Sequence, residues 1–185
     1  MRIIAGKFRG RKLKSPPGAQ TRPTSDRLRE TLFNILAPRI DSARFLDLCS
    51  GTGAVGIEAL SRGASHVTFV DQSRKMCALI EANLDSLGVG DGYDVIVADA
   101  QDYLRRHLKK SETPFDVVFF DPPYAADYGV MLNLIGERAA QVLSTDGIIV
   151  VEHHKKKLLP DRFIALTRYR ELQQGDSVLS FYRVT

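Results

Sequence analysis

Three groups of residues in this 185-residue chain could carry chemistry. The first is the run Asp47-Leu48-Cys49-Ser50-Gly51-Thr52-Gly53-Ala54-Val55-Gly56, which contains Gly51-x-Gly53-x-x-Gly56. Glycines at this spacing let the backbone turn tightly and approach a ligand, and the helix that follows offers free N–H groups. The second is the set of acids Asp71 and Asp99, with Ala100 beside the latter. Asp71 stands twenty residues after Gly51, where a carboxylate can accept both hydroxyls of a ribose. Together these point to a ribose-bearing cofactor, set against a plain tight turn. The glycines do not choose between a nicotinamide dinucleotide and S-adenosylmethionine. Asp47 favours the latter, because it would repel a pyrophosphate and attract a cationic sulfonium with its ammonium group. Asp99 suits an adenine amino group, or an ordinary strand-end turn.

The third group, Asp121-Pro122-Pro123-Tyr124, is the sharpest signal. It suits methylation of an exocyclic amine on a planar base, a poor nucleophile whose lone pair is delocalised into the ring. The Asp121 carboxylate and the Pro122 carbonyl would accept the two N–H bonds and favour the pyramidal amine that attacks a methyl group. The prolines hold that carbonyl in place, and Tyr124 offers a face for stacking the base. The plainer reading is a proline-stiffened turn with a buried Tyr.

These groups need a scaffold that brings them together. Phe45–Leu48, His66–Val70, Asp94–Ala98, Asp116–Phe120 and Gly147–Val151 read as apolar strands. Ala54–Ser61, Arg74–Leu87, Tyr103–Leu108 and Tyr128–Leu143 read as helices between them. Phe163–Glu171 and Ser177–Val184 read as a strand pair around Gly175-Asp176. Such alternation predicts an α/β domain with a mostly parallel sheet, helices on both faces and an antiparallel C-terminal edge hairpin. Ligands then bind beyond the carboxyl ends of the strands, which makes Asp47, Asp71, Asp99 and Asp121 neighbours on one rim.

Residues 1–40 read as a separate basic extension before a body of residues 41–185. Arg2–Ala5 and Arg11–Lys14 suggest a hairpin, and a helix capped by Thr24 or Ser25 carries Leu28, Leu32, Ile35 and Leu36, ending by Pro38. The extension holds ten Lys/Arg against two acids, whereas the rest holds sixteen against twenty, so the formal net charge of +4 hides a basic front end. That end suits a polyanion. Arg9, Arg11, Lys12, Arg27 and Arg29 are candidate phosphate ligands along with Arg22, and Arg22 or Arg27 could instead brace the acidic rim. Lys155-Lys156-Lys157 extends the basic surface or simply opens a solvated segment.

Apolar runs are no longer than five residues, against the roughly 20 of a spanning helix, so a membrane protein is excluded. Two cysteines make neither a disulfide framework nor a thiolate metal site, and the four histidines show no ligand spacing with them, so no metal is expected. A reducing, cytoplasmic setting follows. Cys49 reads as a small packing residue, since amine methylation needs no covalent step.

The chain resembles the class I S-adenosylmethionine-dependent amino-methyltransferases through Asp-x-x-x-Gly-x-Gly and Asp-Pro-Pro-Tyr. Arg2-Ile3-Ile4-Ala5-Gly6, Arg9-Gly10-Arg11-Lys12-Leu13, Arg22-Pro23-Thr24-x-Asp26-Arg27-x-Arg29-Glu30-x-Leu32-Phe33-Asn34-x-Leu36 and Gly56–Ala64 are similar to the bacterial RsmD family. The resemblance implies a Rossmann-like fold with a seven-stranded sheet, and methylation of a guanine N2 amine in 16S ribosomal RNA or the small ribosomal subunit. It implies that Asp47, Ser50, Gly51, Thr52, Gly53, Asp71, Asp99 and Ala100 line the cofactor site, that Asp121, Pro122, Pro123 and Tyr124 hold the base, and that the basic end grips RNA. Cys49 departs from the family pattern, which often has an aromatic residue there. The alternatives are an adenine-N6 methyltransferase on DNA or RNA, a nicotinamide dehydrogenase, and a catalytically dead RNA-binding assembly factor. Nothing in the sequence demands more than a monomer.

Overall fold

The computed structural model of the chain describes residues 1–16, 24–110, 113–124 and 126–185, the side chains of 107–110 excepted. Five parallel strands, β1 (Arg44–Leu48), β2 (His66–Asp71), β3 (Tyr93–Val97), β4 (Phe115–Phe120) and β5 (Leu143–His154), are extended by the antiparallel β6 (Arg162–Phe163), β7 (Leu166–Gln174) and β8 (Ser177–Val184). The order across the sheet is β3-β2-β1-β4-β5-β8-β7-β6. The chain thus builds outward from β1 in one direction and from β4 in the other. Their junction is the switch point at which such sheets bind ligands.

Alternation along the strands explains both cores. Phe45, Val67, Phe69, Val117, Phe119, Ile148 and Val150 pack on one face, in one cluster with buried residues of α1 (Asp26–Ile40), α2 (Ala54–Ser61) and α3 (Arg74–Leu87). Leu46, Leu48, Val70, Val118, Phe120, Ile149 and Val151 face the other way, toward α4 (Ala100–Lys110), α5 (Tyr128–Glu137) and α6 (Ala139–Val142). Covering both faces is why β4 reads as an unbroken apolar run. Each fully buried Phe of this kind contributes about 1.5–3 kcal/mol of transfer free energy. Among the described residues no helix is long and apolar enough to cross a membrane.

Besides longer ends, as in β5 (expected over Gly147–Val151) and α4 (expected over Tyr103–Leu108), the elements differ from the sequence reading at four places. The N-terminal hairpin is reduced to a single bridge, Arg2↔Lys12, around a turn. Gly6 lies there at φ +80, and a Cβ on it would meet the Ser61 carbonyl oxygen at 1.8 Å. Helix α1 runs past Pro38 to Ile40, although the proline has no N–H to give the Asn34 carbonyl one turn back. The helix expected over Tyr128–Leu143 stops at Glu137 and resumes for one turn; Arg138 leaves helical geometry at φ −129, and Leu143 already pairs with Phe115 in the sheet. The closing strand pair is split by Ile164 at φ 51, so β6 adds an eighth, two-residue strand to the seven expected.

Candidate active site

A cavity of about 1060 Å³ opens over the β1–β4 switch point. Its lining includes Asp47, Ser50, Gly51, Thr52, Asp71, Asp99, Ala100, Asp121, Pro122, Pro123 and Tyr124. Those residues come from four strand ends, and parallel pairing in register is what aligns them: Leu48 sits opposite both Val70 and Phe120. A smaller hollow of about 320 Å³, beside Asp116 and Ser144, lies at the opposite ends of the strands.

The glycine loop is held from below by its acids. Asp47 is buried and accepts the Gly56 N–H at 2.9 Å, which fixes the first turn of α2. Asp71 accepts from Gly51 N–H and from Ser73 N–H, each at 2.8 Å. Each of its oxygens still has a lone pair for a ribose hydroxyl. Gly51 lies at φ +54, and a Cβ added there would have nothing within 4 Å, so its backbone faces open space. Gly53 is not part of the lining; at φ +73 it turns the chain into α2, and a Cβ there would meet Ile80 at 2.8 Å. Gly56 serves packing, since a Cβ would reach the Phe69 ring at 2.2 Å. The cavity volume, the open glycine backbone and the anionic floor fit a cationic nucleoside such as S-adenosylmethionine.

Burial, opposed by the Gly56 N–H and helped by Asp71, pushes the Asp47 carboxyl up to about 7. Burial also holds Asp121 well above the usual carboxylate range, with the charges of Glu152 and Asp47 adding to it. A site that holds protons on carboxyls welcomes a cation in their place. Asp99 uses Oδ1 to cap α4, accepting from Gln101 and Asp102 N–H at 2.9 and 3.2 Å. The strand-end turn is therefore present, beside whatever else the carboxylate does. Cys49 has φ 63, and burial pushes its thiol up to about 12, so it is no thiolate nucleophile.

At the catalytic motif, the Tyr128 hydroxyl approaches the Pro122 carbonyl at 3.5 Å, and Tyr128 packs edge-on against Phe120. Tyr124 is 67% exposed at the cavity mouth, with its ring edge-on to His154, so the buried-Tyr reading does not hold.

The basic end divides. Arg9, Lys12 and Arg27 are exposed, as is Arg11, whose guanidinium donates to the Ser86 carbonyl at 2.8 Å. Arg22 lies outside the described residues. Arg29 is not a surface phosphate ligand: its side chain is wholly buried. It donates to the Arg2 carbonyl at 2.5 Å and to Asp26 at 3.0 Å, and lies 3.8 Å from Glu58. Glu58, also fully buried, accepts Ile4 N–H and Ala5 N–H at 2.8 and 3.0 Å and pairs with Arg62. The first residues are thus tied to α2, the helix that carries the glycine loop, and Ile3 and Leu13 belong to the same apolar cluster as the sheet. The stripe Arg29, Phe33, Leu36, Ile40 runs at helical spacing, which is the signal that places Arg29 inward.

The lining residues that the sequence reading did not place at the site include Glu152 and Thr24. Glu152 follows the apolar run Ile148–Val151 within β5, one residue past the Val151 that pairs with Phe120, so the acid after an apolar run was the signal that could have found it. Thr24 donates its hydroxyl to Glu152 at 2.7 Å.

The family described as "Conserved hypothetical protein 95" matches residues 1–183 of the chain. The chain is 36% identical to "Ribosomal RNA small subunit methyltransferase D" of Escherichia coli K12, over 99% of this chain and 89% of that one. It is 35% identical to the protein of the same name from Haemophilus influenzae, over 94% and 93%. Among solved structures, a hypothetical protein of Thermus thermophilus superposes with a TM-score of 0.82 at 32% identity, covering 98% of each chain.

Proposed function

Because the chain belongs to the ribosomal RNA small subunit methyltransferase D family, we propose that it transfers a methyl group from S-adenosylmethionine to the N2 amine of a guanine in small-subunit ribosomal RNA. The observation that carries this reading is the placement of Asp121-Pro122-Pro123-Tyr124 in one cavity with an acid-floored glycine loop.

When bound, S-adenosylmethionine supplies an electrophilic methyl group on a positively charged sulfur. The chain's residues do the rest. Asp71 would accept the ribose hydroxyls, Asp99 and Ala100 would meet the adenine, and Asp47 would favour the positive charge. Asp121 and the Pro122 carbonyl accept the amine N–H bonds and turn its lone pair out of the ring plane. Asp121, or water, then takes up the proton the methylated nitrogen sheds. Tyr124 at the mouth stacks on a base drawn out of its surroundings. Arg9, Arg11, Lys12, Arg22 and Arg27 hold RNA phosphates.

The test is Asp121→Ala. Cofactor affinity stays within a few-fold of the native protein and turnover on small-subunit RNA is lost. Undiminished turnover in that variant sinks the assignment.

A further inference from the structure

Glu152 lies in β5 at the level where Asp121 follows the end of β4. Phe120 pairs with Val151, and one residue later each strand presents a carboxylate to the same cavity. Neighbouring strands lie about 4.8 Å apart, so the two acids form a pair along the rim. Glu152 is only 8% exposed. Placing a second carboxylate there costs free energy, which the rise of Asp121 makes visible. Thr24 orients the Glu152 side chain through Oε2 at 2.7 Å, and the Thr24 carbonyl accepts in turn from Arg29 at 3.5 Å.

Two adjacent acceptors suit a ligand with two adjacent donors. Guanine has such an edge, N1–H beside the N2 amine. Adenine places a lone pair on N1 beside its N6 amine, and so offers one donor next to an acceptor. We propose that Glu152 is the specificity-determining residue that selects guanine, by accepting the N1–H of the base whose N2 amine Asp121 holds. The inference rests on the guanine-N2 reading above and gives it a structural cause. An adenine in the same pose sets its N1 lone pair against the Glu152 carboxylate, a repulsive contact at a side chain only 8% exposed.

The experiment places guanine or 2-aminopurine at the methylated position of small-subunit RNA by splinted ligation. 2-Aminopurine keeps the C2 amine but has a lone pair at N1. Native protein prefers guanine in kcat/KM by about 10-fold or more, the usual worth of a base-edge contact pair. Glu152→Gln keeps its S-adenosylmethionine affinity, methylates guanine more slowly and narrows or reverses that preference, because its amide can donate to N1. Equal use of both bases by the native protein overturns the proposal, whatever the variant does. So does a Glu152→Gln variant that slows both bases by the same factor, which marks a structural role alone. Label on adenine instead of guanine in native protein overturns the guanine reading itself, and shows before any variant is made.

Discussion

Replacing Glu58 with Met removes the carboxylate that fastens the first residues to α2 while keeping similar volume. The side chain is fully buried and holds Ile4 N–H, Ala5 N–H and Arg62, with Arg29 beside it. Arg62 can turn outward to water, but Arg29 is wholly buried and, among the described residues, keeps only Asp26 as a second acidic partner. Breaking one side of such a buried pair costs about 3–5 kcal/mol. Stranding the two backbone N–H groups adds to that, at about 1–3 kcal/mol for each one left without water. Against a global stability of about 5–15 kcal/mol, Glu58→Met removes a large fraction of the total. At about 2–4 °C per kcal/mol for a chain of this length, the pair alone lowers Tm by roughly 6–20 °C. The double variant Arg29→Met/Glu58→Met no longer buries a guanidinium that has lost Glu58 and is more stable than Glu58→Met alone. Urea denaturation and thermal melts of the three variants read this directly. A loss under about 1 kcal/mol for Glu58→Met, or simple addition of the two single losses in the double variant, refutes the account of this buried network.

Other outcomes follow from the site. Before the cofactor binds, Asp47 and Asp121 carry protons over a range where ordinary carboxyls have lost them, and a bound cation favours their ionised forms. S-Adenosylmethionine affinity therefore strengthens as pH rises toward 7, with proton release on binding, by at most about tenfold per pH unit for each group. Titration calorimetry across pH checks this, and a flat profile contradicts it. With its thiol pushed up to about 12, Cys49 resists iodoacetamide at neutral pH, and Cys49→Ala keeps turnover within a few-fold; rapid alkylation seen by mass spectrometry says otherwise. Neutralising Arg9 or Lys12, both exposed, weakens RNA binding and reduces the slope of log affinity against log salt by about one per lost phosphate contact. An unchanged slope removes that residue from the RNA surface.

Much of the scaffold was legible because buried parallel strands leave a plain trace. Phe45–Leu48, His66–Val70 and Asp116–Phe120 are largely apolar, with Asp47 and Thr68 buried among them, and Asp71 and Asp121 just beyond two of them mark the rim. That rule brought Asp71, Asp99 and Asp121 into one cavity with Asp47. What stayed hidden depends on contacts between distant segments. Nothing local in Tyr128–Leu143 stops a helix; the break belongs with the pairing of Leu143 and Phe115 and with Gly136, where a Cβ would meet the Phe163 carbonyl at 2.7 Å. Arg29 counts as a cation in any composition, and only the α1 stripe and a carboxylate 29 residues away on α2 explain its burial. Glu152 sits before two histidines and three lysines that read as a polar surface, although β5 and β8 keep it in the sheet.

The central claim is the reaction itself. Incubation with methyl-labelled S-adenosylmethionine and unmodified small-subunit RNA, bare and as assembled particles, followed by digestion, identifies the labelled nucleoside. The account predicts N2-methylguanosine. Label in N6-methyladenosine, or no label on either substrate from protein that binds the cofactor, contradicts it.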